Sequence, residues 1–285
     1  MRIFIKQSTN YKSLFFILAL FICISCSTTK IAYNFANVWA INWLESYFNI
    51  RESQRVELEK KLDQFFDWHR KSELPKIVLF LEDFKVRHKD GFNKDDINWF
   101  KSELNLFWKR VLIKAEKDMA SFLLTVDDSQ ILDITREFHE KEDDTLTKQS
   151  KMSLMELRQD ILERTYKALE NWLGDLEPSQ KEKIEIWTQP DPYWVTVKLR
   201  NRKKFQSDLI ELLRSKDTLK QNIYSWISNP ESHWTDEYKT IIKTKIKEWE
   251  IITIRIDSII LPRQRKHVAE KVGDIILDLK ELSGI

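Results

Sequence analysis

The chain has 285 residues, 32% of them charged, with a formal net charge of +2; that near balance excludes the basic excess of a nucleic-acid-binding surface. Four glycines and six prolines leave too few tight turns for a sheet protein. Its two cysteines, Cys23 and Cys26, both fall near the N-terminus, which excludes a structural disulfide, a thiolate metal site or a catalytic thiol in the rest of the chain.

Arg2, Lys6 and Lys12 make a positive start without acidic residues, and Leu14 to Ile24 (LFFILALFICI) is uninterrupted and apolar. That stretch is too short to span a bilayer and suits a secretory signal. Ser25-Cys26 follows, then the polar run Ser27-Thr28-Thr29-Lys30. A small residue before a cysteine at this place resembles a bacterial lipobox, although Cys23 stands at −3, where a branched aliphatic residue is usual. The resemblance implies cleavage before Cys26, lipid on Cys26 as the mature N-terminus and, from Ser27 at +2, sorting to the periplasmic face of the cell outer membrane. The expected organisation is a lipoprotein signal peptide over 1–25, a lipidated N-terminus with a Trp-rich first helix over 26–50, a helical region over 51–189 and a C-terminal helical region over 190–285.

The first mature helix is expected over 33–48, where Trp39, Trp43 and Tyr47 recur at four-residue spacing beside Ala36 and Ala40. This stripe either packs into the domain or lies in the membrane interface, where Trp and Tyr favour the head-group level. A second helix over 52–70 turns Leu58, Leu62, Phe65, Phe66 and Trp68 inward. Pro75 is expected to force Leu74 out of the α region and to make 68–75 a helix–turn–helix corner, with His69 and Arg70 capping the helix C-terminus. Ile77, Phe80, Leu81 and Phe84 resume the spacing up to Gly91. Asp95 or Asp96 is expected to cap a long helix reaching Phe122. Helices over 128–146 and 154–173 follow, Pro178 starts another, and Pro190-Asp191-Pro192 is the clearest break and a candidate subdomain boundary. Helices over 193–213, 219–227, 235–259 and 262–282 complete an all-α, bundle-like fold of roughly ten helices. Residues 251–260 are β-branched, and their neighbours make them a buried helix end. The eleven tryptophans are spread along the chain and suit helix–helix packing.

One pattern recurs. Ile50 to Gln54, Val126 to Gln130, Leu176 to Gln180 and Ile260 to Gln264 each place an apolar residue four before a glutamine at a helix start. The apolar residue suits N′, the next the cap, proline N1, and Gln at N3 can accept from the cap N–H. The motifs also resemble the L-T-x-x-Q repeats of Spy-type periplasmic helical chaperones, with the threonine missing each time.

Chemistry-bearing constellations are few. His139-Glu140 lacks a second histidine one turn on, so no metal is expected. There is no Gly-rich phosphate loop and no G-x-S-x-G elbow. The stretch 198–204 is basic and either meets anionic lipid or faces solvent with Lys204 paired to Asp208; Glu137, Glu140, Glu142, Asp143 and Asp144 form an acidic counterpart. Trp68, His69, Arg70 and Glu73 form the one tempting polar cluster, a candidate recognition spot.

The lipobox, Ala32-Tyr33-Asn34, the helix through Trp39, Trp43 and Tyr47, Gln54, Trp68-His69-Arg70 with Glu73-Leu74-Pro75, and later Trp172-x-Gly174 and Gln180 together resemble a family of uncharacterised proteobacterial lipoproteins. The resemblance implies an all-helical fold and an envelope location and brings no catalytic residue. The expected function is a non-enzymatic binding or structural role, without cofactor or metal, the partners being the membrane through the lipid and an envelope protein or peptide. The alternatives are a holdase-like chaperone or stress-response adaptor, and a periplasmic hydrolase.

Overall fold

Apolar residues at helical spacing, with few breakers between them, wind nearly all of the described chain into α-helix. The computed structural model describes residues 28–285, apart from the side chains at 28, 142–147, 149 and 150. The signal-type segment and Cys26 lie outside the described residues, as do the side chains of Glu142, Asp143 and Asp144. In order come α1 (Thr28–Asn34), α2 (Ala36–Phe48), α3 (Glu52–Trp68), a π-helical turn (His69–Glu73), α4 (Leu74–His88), α5 (Lys94–Thr125) and α6 (Asp128–Ser150). Then follow α7 (Leu154–Leu173), α8 (Pro178–Trp187), α9 (Pro192–Arg214), α10 (Lys216–Ser228), a 3-10 turn (Pro230–His233), α11 (Asp236–Asp257) and α12 (Pro262–Ser283). No strand occurs among the described residues, so the fold is all-α.

α5 is the strut. Its 32 residues reach about 48 Å at 1.5 Å each. Asn93 caps it, not Asp95 or Asp96: the Asn93 side chain accepts from the N–H of Asp95 at 2.7 Å and of Asp96 at 3.1 Å, while Asp96 Oδ2 accepts from the Asn93 N–H. An amide at N-cap with an acid at N3 satisfies both orphan donors; the aspartates instead fill the first turn, where the helix dipole favours them. Phe107 on α5 enters one core with Leu74, Val78 and Leu81 of α4, Leu173 and Ile184 of α7–α8, and Val268, Val272, Ile275 and Leu279 of α12. Further along α5, Ala120, Phe122 and Leu123 enter a second core with Tyr47 and Phe48 of α2, Ile131 and Ile134 of α6, Leu209 and Leu213 of α9, and Leu219 and Ile223 of α10. Both cores therefore draw on helices from either side of the Pro190 break. Several tryptophans pack between helices: Trp99 stacks on Phe80 with centroids 5.1 Å apart, Trp226 lies 4.9 Å from Phe205 and Trp194 stacks on Tyr238 at 5.2 Å.

The four glutamines organise the corners. In each, Oε1 accepts from the N–H of its own cap residue: Arg51 to Gln54 at 2.9 Å, Asp127 to Gln130 at 3.1 Å, Glu177 to Gln180 at 2.9 Å and Leu261 to Gln264 at 3.0 Å. The amides then pair reciprocally. Gln54 Nε2 donates to Gln130 at 3.1 Å and Gln130 Nε2 returns at 2.8 Å; Gln180 donates to Gln264 at 2.8 Å and Gln264 returns at 3.1 Å. Each amide also binds a carbonyl closing the helix before the opposite corner: Gln54 to Thr125, Gln130 to Phe48, Gln180 to Ile259 and Gln264 to Asp175. A helix end exposes four unpaired carbonyls, and here the partner corner supplies the donor. The corners are bridged outside each pair, the cap residues Arg51 and Asp127 meeting at 3.2 Å and Arg263, two residues after the Leu261 cap, pairing with the cap residue Glu177. The chain thus builds one device twice, four helix ends locked around two side-chain amides.

Gly91, with φ +95°, has room only for hydrogen, since a Cβ there would sit 2.8 Å from Asp257 Oδ2. That closeness lets the Phe92 N–H donate to Asp257 at 2.8 Å and ties the α4–α5 loop to the end of α11.

Candidate functional site

The helix does not stop before Pro75. Leu74 keeps α geometry (φ −59°, ψ −40°) and donates its N–H to His69 O, one residue further back than in an α-helix. Proline lacks the N–H that would reach Lys71 O, and its ring would strike that carbonyl. One π turn widens the helix enough to relieve the clash without breaking it. The corner expected over 68–75 is therefore a continuous, distorted rod, and His69 and Arg70 cap nothing.

The cluster sits where α3 runs into the π turn. Trp68 is half-buried, its ring 5.5 Å from Phe65, with Lys114 Nζ 5.8 Å from the ring centroid. His69, one position on, takes the interior place at 5% exposure, and Glu73 is 1% exposed. His69 Nδ1 lies 2.9 Å from the Tyr33 hydroxyl of α1. The Arg70 guanidinium donates to Asn34 Oδ1 at 3.2 Å and sits over the Tyr33 ring at 5.5 Å. Glu73 accepts from Arg110 Nε of α5 and from Lys76 Nζ, both at 2.7 Å. The π turn thus gathers α1, α4 and α5 around one buried imidazole and one buried carboxylate. Tyr33 is the member that sequence reasoning missed; its nearness to the candidate cluster depends on α1 folding back. The arrangement is enclosed, and its chemistry is that of a clamp.

Burial holds His69 down to about 4 from its ordinary 6.5, against a smaller upward pull from Glu73, and the same burial pushes the Tyr33 phenol up. Folding thus weakens proton binding at His69. Above pH 6.5 the imidazole is neutral in both states, whereas between 6.5 and 4 the unfolded chain takes up a proton that the folded one refuses. Stability should therefore fall as the pH falls through that window, by about 3 kcal/mol at 1.36 kcal/mol per pH unit. Burial also lowers His88 and His233, so the decisive comparison is urea unfolding from pH 8 to 4 for wild type against His69→Gln. The variant should lose one proton's worth of slope, and parallel curves would refute the assignment.

Trp39 and Trp43 face solvent, whereas Tyr47 is buried against Phe138, its ring 3.4 Å from Lys141 Nζ. Each four-residue step turns a helix by about 40° past a full circle, enough to carry Tyr47 off the face that holds Trp39. Asn34 and Asn42 are exposed beside the tryptophans. In the basic stretch, Arg200 pairs with Glu237 at 2.6 Å and Lys204 with Asp208 at 2.5 Å. A cleft of about 550 Å³ opens between the end of α4 and the start of α12, lined by Lys85, Lys89, Arg265 and Lys266. Asp257 holds Arg265 there through two bonds of 3.0 Å.

The chain belongs to a family of unknown function, DUF6279, whose model matches residues 46–239. No curated protein and no solved structure matches it.

Proposed function

We propose that this member of the family is a lipid-anchored cell-envelope protein, held by Cys26 at the periplasmic face of the outer membrane, with a non-enzymatic binding or structural role. The apolar stretch Leu14 to Ile24 followed by Ser25-Cys26 carries the reading, and the start of the described fold fits it. The described fold starts two residues after Cys26, and α1 is at once stitched to the end of α12: Lys30 Nζ reaches Glu281 at 2.5 Å and Asp278 at 3.7 Å. Two extended residues span at most about 7 Å. An acylated Cys26 would leave no slack, and the helical body would stand directly on the bilayer. Such a platform suits presenting surfaces to other envelope components. Labelled fatty acid should enter the mature protein and vanish in Cys26→Ala. Equal labelling of the variant, or a soluble mature wild-type form, would overturn the reading.

A holdase-like role is the second reading, favoured by the exposed apolar side chains Phe35, Val38 and Trp39. It requires the chain to suppress aggregation of a denatured client.

A further inference from the structure

The outward face of α1–α2 differs from the rest of the surface. Positions 31, 34, 35, 38, 39, 42, 43 and 46 face solvent, and they carry Ile31, Asn34, Phe35, Val38, Trp39, Asn42, Trp43 and Ser46. None is charged, in a chain where 32% of residues are. The five apolar side chains are between 38% and 56% exposed. α1 and α2 form nearly one rod, because the Phe35 N–H still reaches Ile31 O at 3.2 Å and the Trp39 N–H reaches Phe35 O at 3.0 Å. The opposite side, with Ala32, Tyr33, Ala36 and Ile41, is buried in the body. The rod cannot roll to hide its apolar stripe.

We propose that this stripe lies in the lipid head-group layer of the bilayer that holds the Cys26 lipid, with Ile31, Phe35, Val38 and Trp39 as the inserted side chains. The proposal rests on the lipid-anchor reading above. The occupant follows from where the chain outside the described fold ends. Cys26 lies five residues before Ile31, so an acyl group there brings a bilayer to the start of the stripe. No helix of the described chain is long and apolar enough to cross a membrane. An uncharged face with aliphatic residues, tryptophans and small polar side chains suits a helix lying along the interface, indole N–H groups at head-group level. The lipid and the stripe would then act as two membrane signals. Together they fix the orientation of the body, which a single-point tether leaves free.

The mature chain has no cysteine besides Cys26, and acylation occupies that sulfur, so one introduced cysteine reports from one place. Phe35→Cys in the lipidated full-length mature protein is labelled with an environment-sensitive NBD dye. The protein is then bound to phosphatidylethanolamine/phosphatidylglycerol vesicles containing head-group nitroxide lipids. Lys266→Cys serves as the reference, about three to four turns along α12 from Asp278 and Glu281, which hold Lys30. The Phe35 probe should shift to shorter wavelength and be quenched at least several-fold more than the Lys266 probe. If the protein floats with the vesicles and carries fatty acid, yet the Phe35 probe is as wet as the reference, docking is overturned and the anchor stands. A mature protein without fatty acid overturns both. Sedimentation of the unacylated Cys26→Ala chain covers the remaining occupant: a dimer abolished by Trp39→Asp assigns the stripe to a second copy and overturns membrane docking.

Discussion

Gln130→Ala should destabilise the fold by on the order of 5 kcal/mol, a large part of the 5–15 kcal/mol that holds an ordinary domain. The side chain is fully buried. It accepts from the Asp127 N–H, donates to Phe48 O and exchanges two bonds with Gln54. Truncation strands a donor at one corner, a carbonyl at the other and half of the Gln54 amide, each costing about 1–3 kcal/mol where water cannot enter, and adds a cavity. Urea denaturation of the full mature chain measures the loss, and a change below 1 kcal/mol would show that the paired amides do not hold the corners. A second variant separates desolvation from packing. Gln54→Leu together with Gln130→Leu removes both halves of the amide pair, so the double variant should cost clearly less than the sum of the singles. Asp127→Ala disturbs the same corner from outside, where the carboxylate is half-exposed and paired with Arg51, and should cost far less.

Arg110→Met should cost about 3–5 kcal/mol, the loss typical of a buried charge deprived of its partner. Glu73 is 1% exposed and keeps only Lys76 once Arg110 is gone. Glu73→Gln should cost less, because Arg110 and Lys76 are partly exposed and can turn to water. The order of the two effects is the test, since a mere count of lost ion pairs, one for Arg110→Met against two for Glu73→Gln, gives the reverse order. A double-mutant cycle should recover much of the Arg110→Met loss when Glu73 is also neutralised. Strictly additive effects would mean that the two side chains do not sense each other.

The helices were legible because scarce glycine and 3.6-residue periodicity point the same way, and a β-branched stretch such as 251–260 is overruled by its neighbours. The N3 role of the glutamines was legible too, since a cap bond is made within four residues. Their pairing was not. Gln54 and Gln130 lie 76 residues apart and Gln180 and Gln264 lie 84 apart, and spacing alone does not say which corner meets which. The site was read less well for a local reason. The rule for residues before proline favours a break at Leu74, whereas a single π turn costs less than opening a helix whose far side, Val78 and Leu81, is already committed to the core. Trp68 lost the interior place to His69 by ordinary α periodicity, since His69 follows Phe65 by four residues and Leu62 by seven and so continues the inward stripe more closely. Tyr47 was misplaced because a four-residue spacing drifts around a helix.

α12 lies against α4 and α1, and Lys280 meets Glu82 across 198 residues of chain. The order of synthesis gives this packing a cost. A chain made from its N-terminus can close the first pair of corners once Gln130 has emerged. The second pair waits for Gln264, and the apolar side of α4, with Leu74, Val78 and Leu81, waits for Val268 to Leu279. Through the making of seven intervening helices that side has only Phe107, Leu173 and Ile184 of the same core to cover it in part, a period in which a nascent chain needs a holding factor or risks aggregation. A frameshift or stop anywhere before Pro262 would prolong that exposure without end, so even a late truncation should yield insoluble protein rather than a shortened fold.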